Sequence, residues 1–119
     1  MEKYIYGCKL IRVVDGDTVD AMIDVGFNIW IKKRLRLLGI NAYECRTKDL
    51  NEKAKGLAAK DRLIEILVKL NDEPNYFEIV SHGVGKYGRV LAEIFVKDSD
   101  GYLDVNKKLL IEGHAVPYS

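Results

Sequence analysis

A chain of 119 residues is the size of one domain and has room for one modest core. Its hydrophobic share of 48% and charged share of 31% exclude a disordered chain, and a net charge of +1 means that any phosphate-binding role must come from local clusters. No window holds the ~20 apolar residues that a membrane helix needs.

Residues 4 to 14 are rich in β-branched and aromatic side chains and read as a strand. Asp15-Gly16 is a hairpin turn signal. A second strand runs from Thr18 to Val25, with Val19, Ala21, Ile23 and Val25 on its apolar face and Asp20, Met22 and Asp24 on the other. Gly26 ends it. A third strand spans Phe27 to Ile40, where Phe27, Ile29, Ile31, Leu35 and Leu37 alternate with Asn28, Lys32, Arg34 and Arg36, leaving Trp30 and Lys33 out of pattern. The period then changes. Asp49 is placed to cap a helix with Glu52 as its reciprocal partner. Ala54, Leu57, Asp61, Ile64 and Val68 form a heptad-like row, widened by Leu63 and Leu67, and Asn71-Asp-Glu-Pro74 stops the helix. Strands at 76–81 and 90–97 flank a glycine-rich loop, Ser81 to Gly88. Asp98 to Gly101 is a turn, and Asp104 caps a short helix to Glu112 with Gly113 past its end. This order, β-β-β-α-β-β-α, predicts a five-stranded Greek-key barrel of the OB type with two helices, an α+β or mainly β fold in one domain spanning 1–119.

Three stretches carry candidate chemistry. Asp15-Gly-Asp-Thr18 offers two carboxylates in a tight turn. Arg36-Leu-Leu-Gly-Ile-Asn-Ala-Tyr-Glu44 has a guanidinium at one end and a carboxylate at the other. Lys86-Tyr-Gly-Arg89 offers a second guanidinium. Cations for a phosphate, with carboxylates for a metal and a water, suit a phosphodiester.

These three motifs, in this order and with a helix between the second and third, resemble the staphylococcal nuclease (thermonuclease) family from Lys9 to Ala115. The resemblance implies an OB barrel and a calcium-dependent nuclease that cuts DNA and RNA with little sequence preference and leaves 3′-phosphates. It implies that Asp17 is a calcium ligand, that Arg36 and Arg89 bind phosphate, and that Glu44 activates the attacking water. Lys86 and Tyr87 then touch a far phosphate. The family pattern Asp-Thr-Pro-Glu or Asp-Ala-Pro-Glu is here Asn41-Ala42-Tyr43-Glu44, so a carboxylate has become an amide. Asn41 and the Ala42 carbonyl are still oxygen donors, Asp15 stands behind them, and weak calcium binding is expected. A third C-terminal helix has no counterpart before Ser119, and the family's base-stacking tyrosines are matched only in part, by Tyr118.

Blander readings stand beside these. Asp17 is also good turn chemistry. Lys32 and Arg34 read as a solvated charge stripe. Glu44 also suits a helix start. Tyr87 is loop packing as readily as a phosphate donor. His82 and His114 read as surface residues, and Gly83-x-Gly85 precedes a strand, which disfavours a phosphate loop. Cys8 and Cys45 lack metal-ligand spacing and read as free thiols, with a disulfide as the alternative. The opening residues, Met-Glu-Lys-Tyr-Ile-Tyr-Gly-Cys, lack the apolar centre of a signal peptide. The chain therefore reads as cytoplasmic, although a trimmed secreted protein would read the same. The expected partners are single-stranded DNA and RNA, with no membrane, and the protein reads as a monomer or a homodimer. Two further functions are carried forward: a catalytically weak or silent OB nucleic-acid-binding module, favoured by Asn41, and a domain that recognises a protein ligand.

Overall fold

The structure, a computed structural model, describes residues 4–118. Met1–Lys3, part of the stretch read against a signal peptide, and Ser119 lie outside the described residues. The strands are β1 (Tyr4–Asp15), β2 (Thr18–Asp24), β3 (Trp30–Leu37), β4 (Ile40–Ala42), β5 (Tyr76–Val84), β6 (Val90–Asp98), β7 (Gly101–Asp104) and β8 (Ala115–Pro117). Helix α1 (Leu50–Ile64) continues as a π-helical stretch, Glu65–Lys69, and α2 is Val105–Ile111. The main sheet runs β3-β2-β1-β5-β6-β7. A parallel pairing of Leu35–Leu37 with Val90–Ala92 joins β3 to β6 and closes a five-stranded barrel. This is the expected OB-type fold of the α+β class. Closure satisfies strand edges that an open sheet would leave unpaired.

The barrel is filled by alternate side chains. Cys8, Val13, Val19, Ala21, Ile23, Leu35, Leu37, Phe77, Ile79, Ile94 and Val96 face inward and are buried. Helix α1 plugs one end with Ala59, Leu63, Ile66 and Leu67, and α2 covers another flank with Val105 and Leu109. Cys8 and Cys45 are separate buried thiols, as the count allowed. Burial pushes the Cys8 thiol up to about 12.

The details depart from the sequence pattern in four places. First, the third strand starts at Trp30, because Gly26, Phe27 and Asn28 all take positive φ (88°, 56° and 62°) in a tight hairpin loop. Val25 and Ile29 close that loop with a backbone hydrogen bond of 3.0 Å. Phe27 is therefore 96% exposed, and Ile29 and Ile31 also lie outside the core. Second, the strand stops at Leu37. Gly39 turns the chain (φ 82°), and Ile40–Ala42 leaves the barrel to pair with β8.

Third, the buried face of α1 is Gly56, Ala59 and Leu63; Leu57 is 41% exposed and Ala54 lies in solvent. Asp49 caps α1 as expected by accepting from the Asn51 and Glu52 N–H groups, but its own N–H goes to Thr47 Oγ1 and not to Glu52. Fourth, β5 runs on to Val84, into the expected loop. At the end of the α1–π helix, buried Asn71 donates to the Leu67 and Tyr76 carbonyls, which is why the helix stops there.

Candidate active site

The turn between β1 and β2, the segment from Arg36 to Glu44, and the turn before β6 meet at one end of the barrel. They wall a cleft of about 590 Å³ lined by Asp15, Asp17, Thr18, Arg36, Asn41, Ala42, Tyr43, Glu44, Lys86, Arg89 and Tyr118, among others. All the residues singled out from the sequence line it except Tyr87.

Asp17 is the buried anchor, only 7% exposed. Its Oδ2 accepts the Ala42 N–H at 2.8 Å and its Oδ1 accepts the Thr18 hydroxyl at 2.8 Å. Arg36 approaches the same Oδ2 at 3.4 Å through a terminal nitrogen, which also donates to Asn41 Oδ1 at 3.2 Å. Its other terminal nitrogen donates to the Leu37 carbonyl at 2.9 Å. The Arg36 guanidinium thus bridges Asp17 and Asn41, and the Tyr118 ring lies 5.7 Å from it. The Tyr118 N–H is bonded to the Gly39 carbonyl, so the turn after β3 holds the tyrosine in place.

Arg89 begins the approach to β6. It is tied loosely to its own turn, its Nε 3.4 Å from the Lys86 carbonyl. The short 3₁₀ turn Lys86–Gly88 forces Tyr87 into a left-handed conformation (φ 62°). Tyr87 is 92% exposed and stands outside the cleft wall, with its ring 5.7 Å from the Arg89 guanidinium. Glu44 is exposed at the cleft wall just after β4. Asp15 accepts the Cys45 thiol at 2.9 Å, and that bond, with burial, raises the Cys45 pKa.

Two further residues position this site, and the pattern reading passed over both. Gly56 of α1 lies against the backbone of Glu44: a Cβ there would sit 2.4 Å from the Glu44 carbonyl oxygen. Three residues on, Ala59 packs on Gly16, where an added Cβ would come within 2.6 Å of the alanine methyl. One helix face of small residues therefore sets the height of both the acidic turn and the Glu44 segment. A glycine inside a helix costs ~1 kcal/mol relative to alanine, and that local conflict was the available signal. Asn106 is the second. Buried at the start of α2, it accepts the Ile94 N–H and donates to the Leu38 and Ala92 carbonyls. It pins the turn after Arg36 to β6.

The family model for staphylococcal nuclease homologues matches residues 34–119 of the chain. The chain belongs to the staphylococcal nuclease homologue family. The match covers Arg36, Asn41, Glu44 and Arg89, whereas the Asp15–Thr18 turn precedes it. An uncharacterized protein of Methanocaldococcus jannaschii is 34% identical to this nuclease-family chain over 98% of its length. The chain spans 60% of that relative. Among the described residues of the nuclease-family domain, no three His, Cys, Asp or Glu side chains are grouped to hold a metal. No helix among them is long and apolar enough to cross a membrane.

Proposed function

We propose that the chain is a phosphodiesterase that hydrolyses single-stranded DNA and RNA with little sequence preference and leaves 3′-phosphate ends. The observation that carries this reading is the convergence of Arg36, Arg89, Glu44 and Asp17 on one cleft from three separate parts of the chain. Glu44, exposed to water, is the general base and takes a proton from the attacking water. The resulting hydroxide adds to phosphorus, the bond from phosphorus to the 5′ oxygen breaks, and that oxygen is protonated from solvent. Arg36 and Arg89 donate to the non-bridging oxygens, where negative charge builds in the transition state. Lys86 and Tyr118 flank the strand on either side, and Tyr87 supports Arg89 from behind.

The donors around Asp17 are all oxygens: its carboxylate, the Asn41 amide, the Ala42 carbonyl, and Asp15 behind them. That set suits a hard cation, and calcium is the ion we propose. When bound, the ion supplies positive charge that polarises the water and the phosphate. With a single inner carboxylate, already bonded to Thr18 and Ala42, the affinity is expected to be low. A second reading, a binding module that does not cut, is favoured by Asn41 and by the guanidinium that bridges it to Asp17.

Cleavage of a single strand in EDTA and then in graded calcium, by wild type and Asn41→Asp, separates the two readings. The nuclease reading expects calcium-dependent cutting by wild type, with Asn41→Asp needing less ion. Cutting by Asn41→Asp alone makes the natural chain a binder. Cutting by neither overturns the assignment.

A further inference from the structure

Beyond the cleft, β3 carries a second ordered set of cations. Trp30, Lys32, Arg34 and Arg36 share one face of the strand, with β2 residues Asp24, Met22, Asp20 and Thr18 opposite them in register. On β1, Arg12 lies opposite Asp20 and Lys9 opposite Met22. Asp20 is only 5% exposed although it points away from the barrel core. It is buried by two arginines: Arg12 Nε donates at 2.9 Å, Arg34 Nε at 2.8 Å and a terminal nitrogen of Arg34 at 3.2 Å. Held through Nε, both guanidiniums keep terminal N–H groups for solvent, and their side chains are 63% and 42% exposed.

The groove here, about 520 Å³, is lined by Ile11, Arg12, Asp20, Lys32, Lys33 and Arg34. Four cations face one carboxylate that is already neutralised. At the outer end the Lys9 ammonium sits 5.2 Å over the Trp30 ring. Asp24, the other acid nearby, accepts the Gly26 N–H.

We propose that this face is a second nucleic-acid contact, a track that takes the single strand leaving the cleft, with phosphates on Arg12, Lys32 and Arg34 and a base stacked on Trp30. The inference rests on the nuclease reading for the direction of the strand. At ~3.3 Å per residue, Lys32 lies about 13 Å and Trp30 about 20 Å along β3 from Arg36, a span of several nucleotides. Lysines also discourage strand pairing at a free edge, and β3 is unpaired on one side before Leu35 among the described residues. Edge protection accounts for Lys32 and Lys33. It does not account for a buried carboxylate that aligns arginines from two different strands, nor for an aromatic ring at the end of the row. The sign of the charge selects a polyanion, and the ring selects one with unstacked bases.

The test is binding in EDTA, so that it does not depend on cleavage. Intact wild type and Lys32→Gln/Lys33→Gln are titrated with a single-stranded DNA of about 16 nucleotides and with a trinucleotide that fits the cleft alone. Trp30 is the single tryptophan of the chain, so its fluorescence reports this face directly. The long strand is expected to quench Trp30 and the trinucleotide to leave it unchanged. The double variant is expected to bind the long strand about tenfold more weakly, with a salt slope shallower by about 1.4 for the two lost contacts, and to bind the trinucleotide normally.

An unquenched Trp30 with an unchanged salt slope overturns the track and leaves the cleft reading standing, provided that the trinucleotide still binds. Wild type that binds neither ligand overturns both. A variant that binds the strand normally but loses anionic phospholipid vesicles assigns the face to lipid. One that binds normally but self-associates makes the lysines edge guards only. Either result overturns the proposal.

Discussion

Arg36 does two jobs with one guanidinium. It is 13% exposed at its side chain and joins Asp17, Asn41 and the Leu37 carbonyl. A lysine ammonium is a point charge on a flexible stem and cannot make the planar set of contacts. Arg36→Lys is therefore expected to lose nearly as much as Arg36→Ala, on the order of 2.7 to 4 kcal/mol in the barrier, or 10²- to 10³-fold in turnover. Single-turnover rates at saturating strand check this, and wild-type turnover in Arg36→Lys would remove the residue from the phosphate clamp. Arg36 was legible because its spacing to Glu44 carries a motif. Its bridge to Asn41 was not, because rotamer and partner depend on where the turn after β3 sends the chain.

At the scale of elements, α1 acts as a ruler for the site. Gly56 allows the helix to touch the Glu44 backbone and Ala59 allows it to touch Gly16. Replacing an interior helical glycine by alanine ordinarily stabilises a helix by ~1 kcal/mol. Here the added methyl meets backbone, which cannot swing aside as a side chain can. Gly56→Ala is expected to destabilise the fold by about 1–3 kcal/mol and to reduce turnover by shifting Glu44. Urea unfolding and cleavage rates together check it, and a more stable, fully active variant would mean that the helix does not set this height. The heptad-like row through Ala54 and Leu57 misjudged the helix face for the same reason. The periodicity of large apolar residues marks ordinary packing, whereas a close backbone approach is marked by small residues.

The whole molecule is tied together by carboxylates held between cations. The Arg34 guanidinium, with Arg12, holds Asp20 down at about 2. The Arg62 guanidinium, with Lys108, holds Glu112 down at about 2 and joins α1 to α2, while Arg62 also pairs with Glu65. A carboxyl with a lowered folded pKa contributes stability that is complete above its unfolded value and is lost as the pH falls through the folded one. Stability is therefore expected to fall between about pH 4 and pH 2. Asp20→Asn is expected to be less stable at neutral pH and to show a flatter loss across that window. Acid titrations followed by circular dichroism read both, and an unchanged acid slope would mean that the Arg12–Asp20–Arg34 row is not coupled to folding.

Order along the chain was enough to place α1, α2, the central strands, both helix caps and the cleft-lining residues Asp17, Arg36, Glu44 and Arg89, because those features rest on local spacing and on motifs of contiguous residues. Other features needed the closed barrel. The hairpin loop at Phe27 broke the alternation through backbone conformation, which side-chain pattern does not report. Strands β4 and β8 exist only as partners of each other, and Asn106 gains its meaning from two carbonyls and an amide on other elements. The basic row on β3 read as a solvated stripe because alternation shows which face a residue occupies, not what stands beside it. Only when β1, β2 and β3 pair does Asp20 come between two arginines and turn separate surface charges into an ordered face.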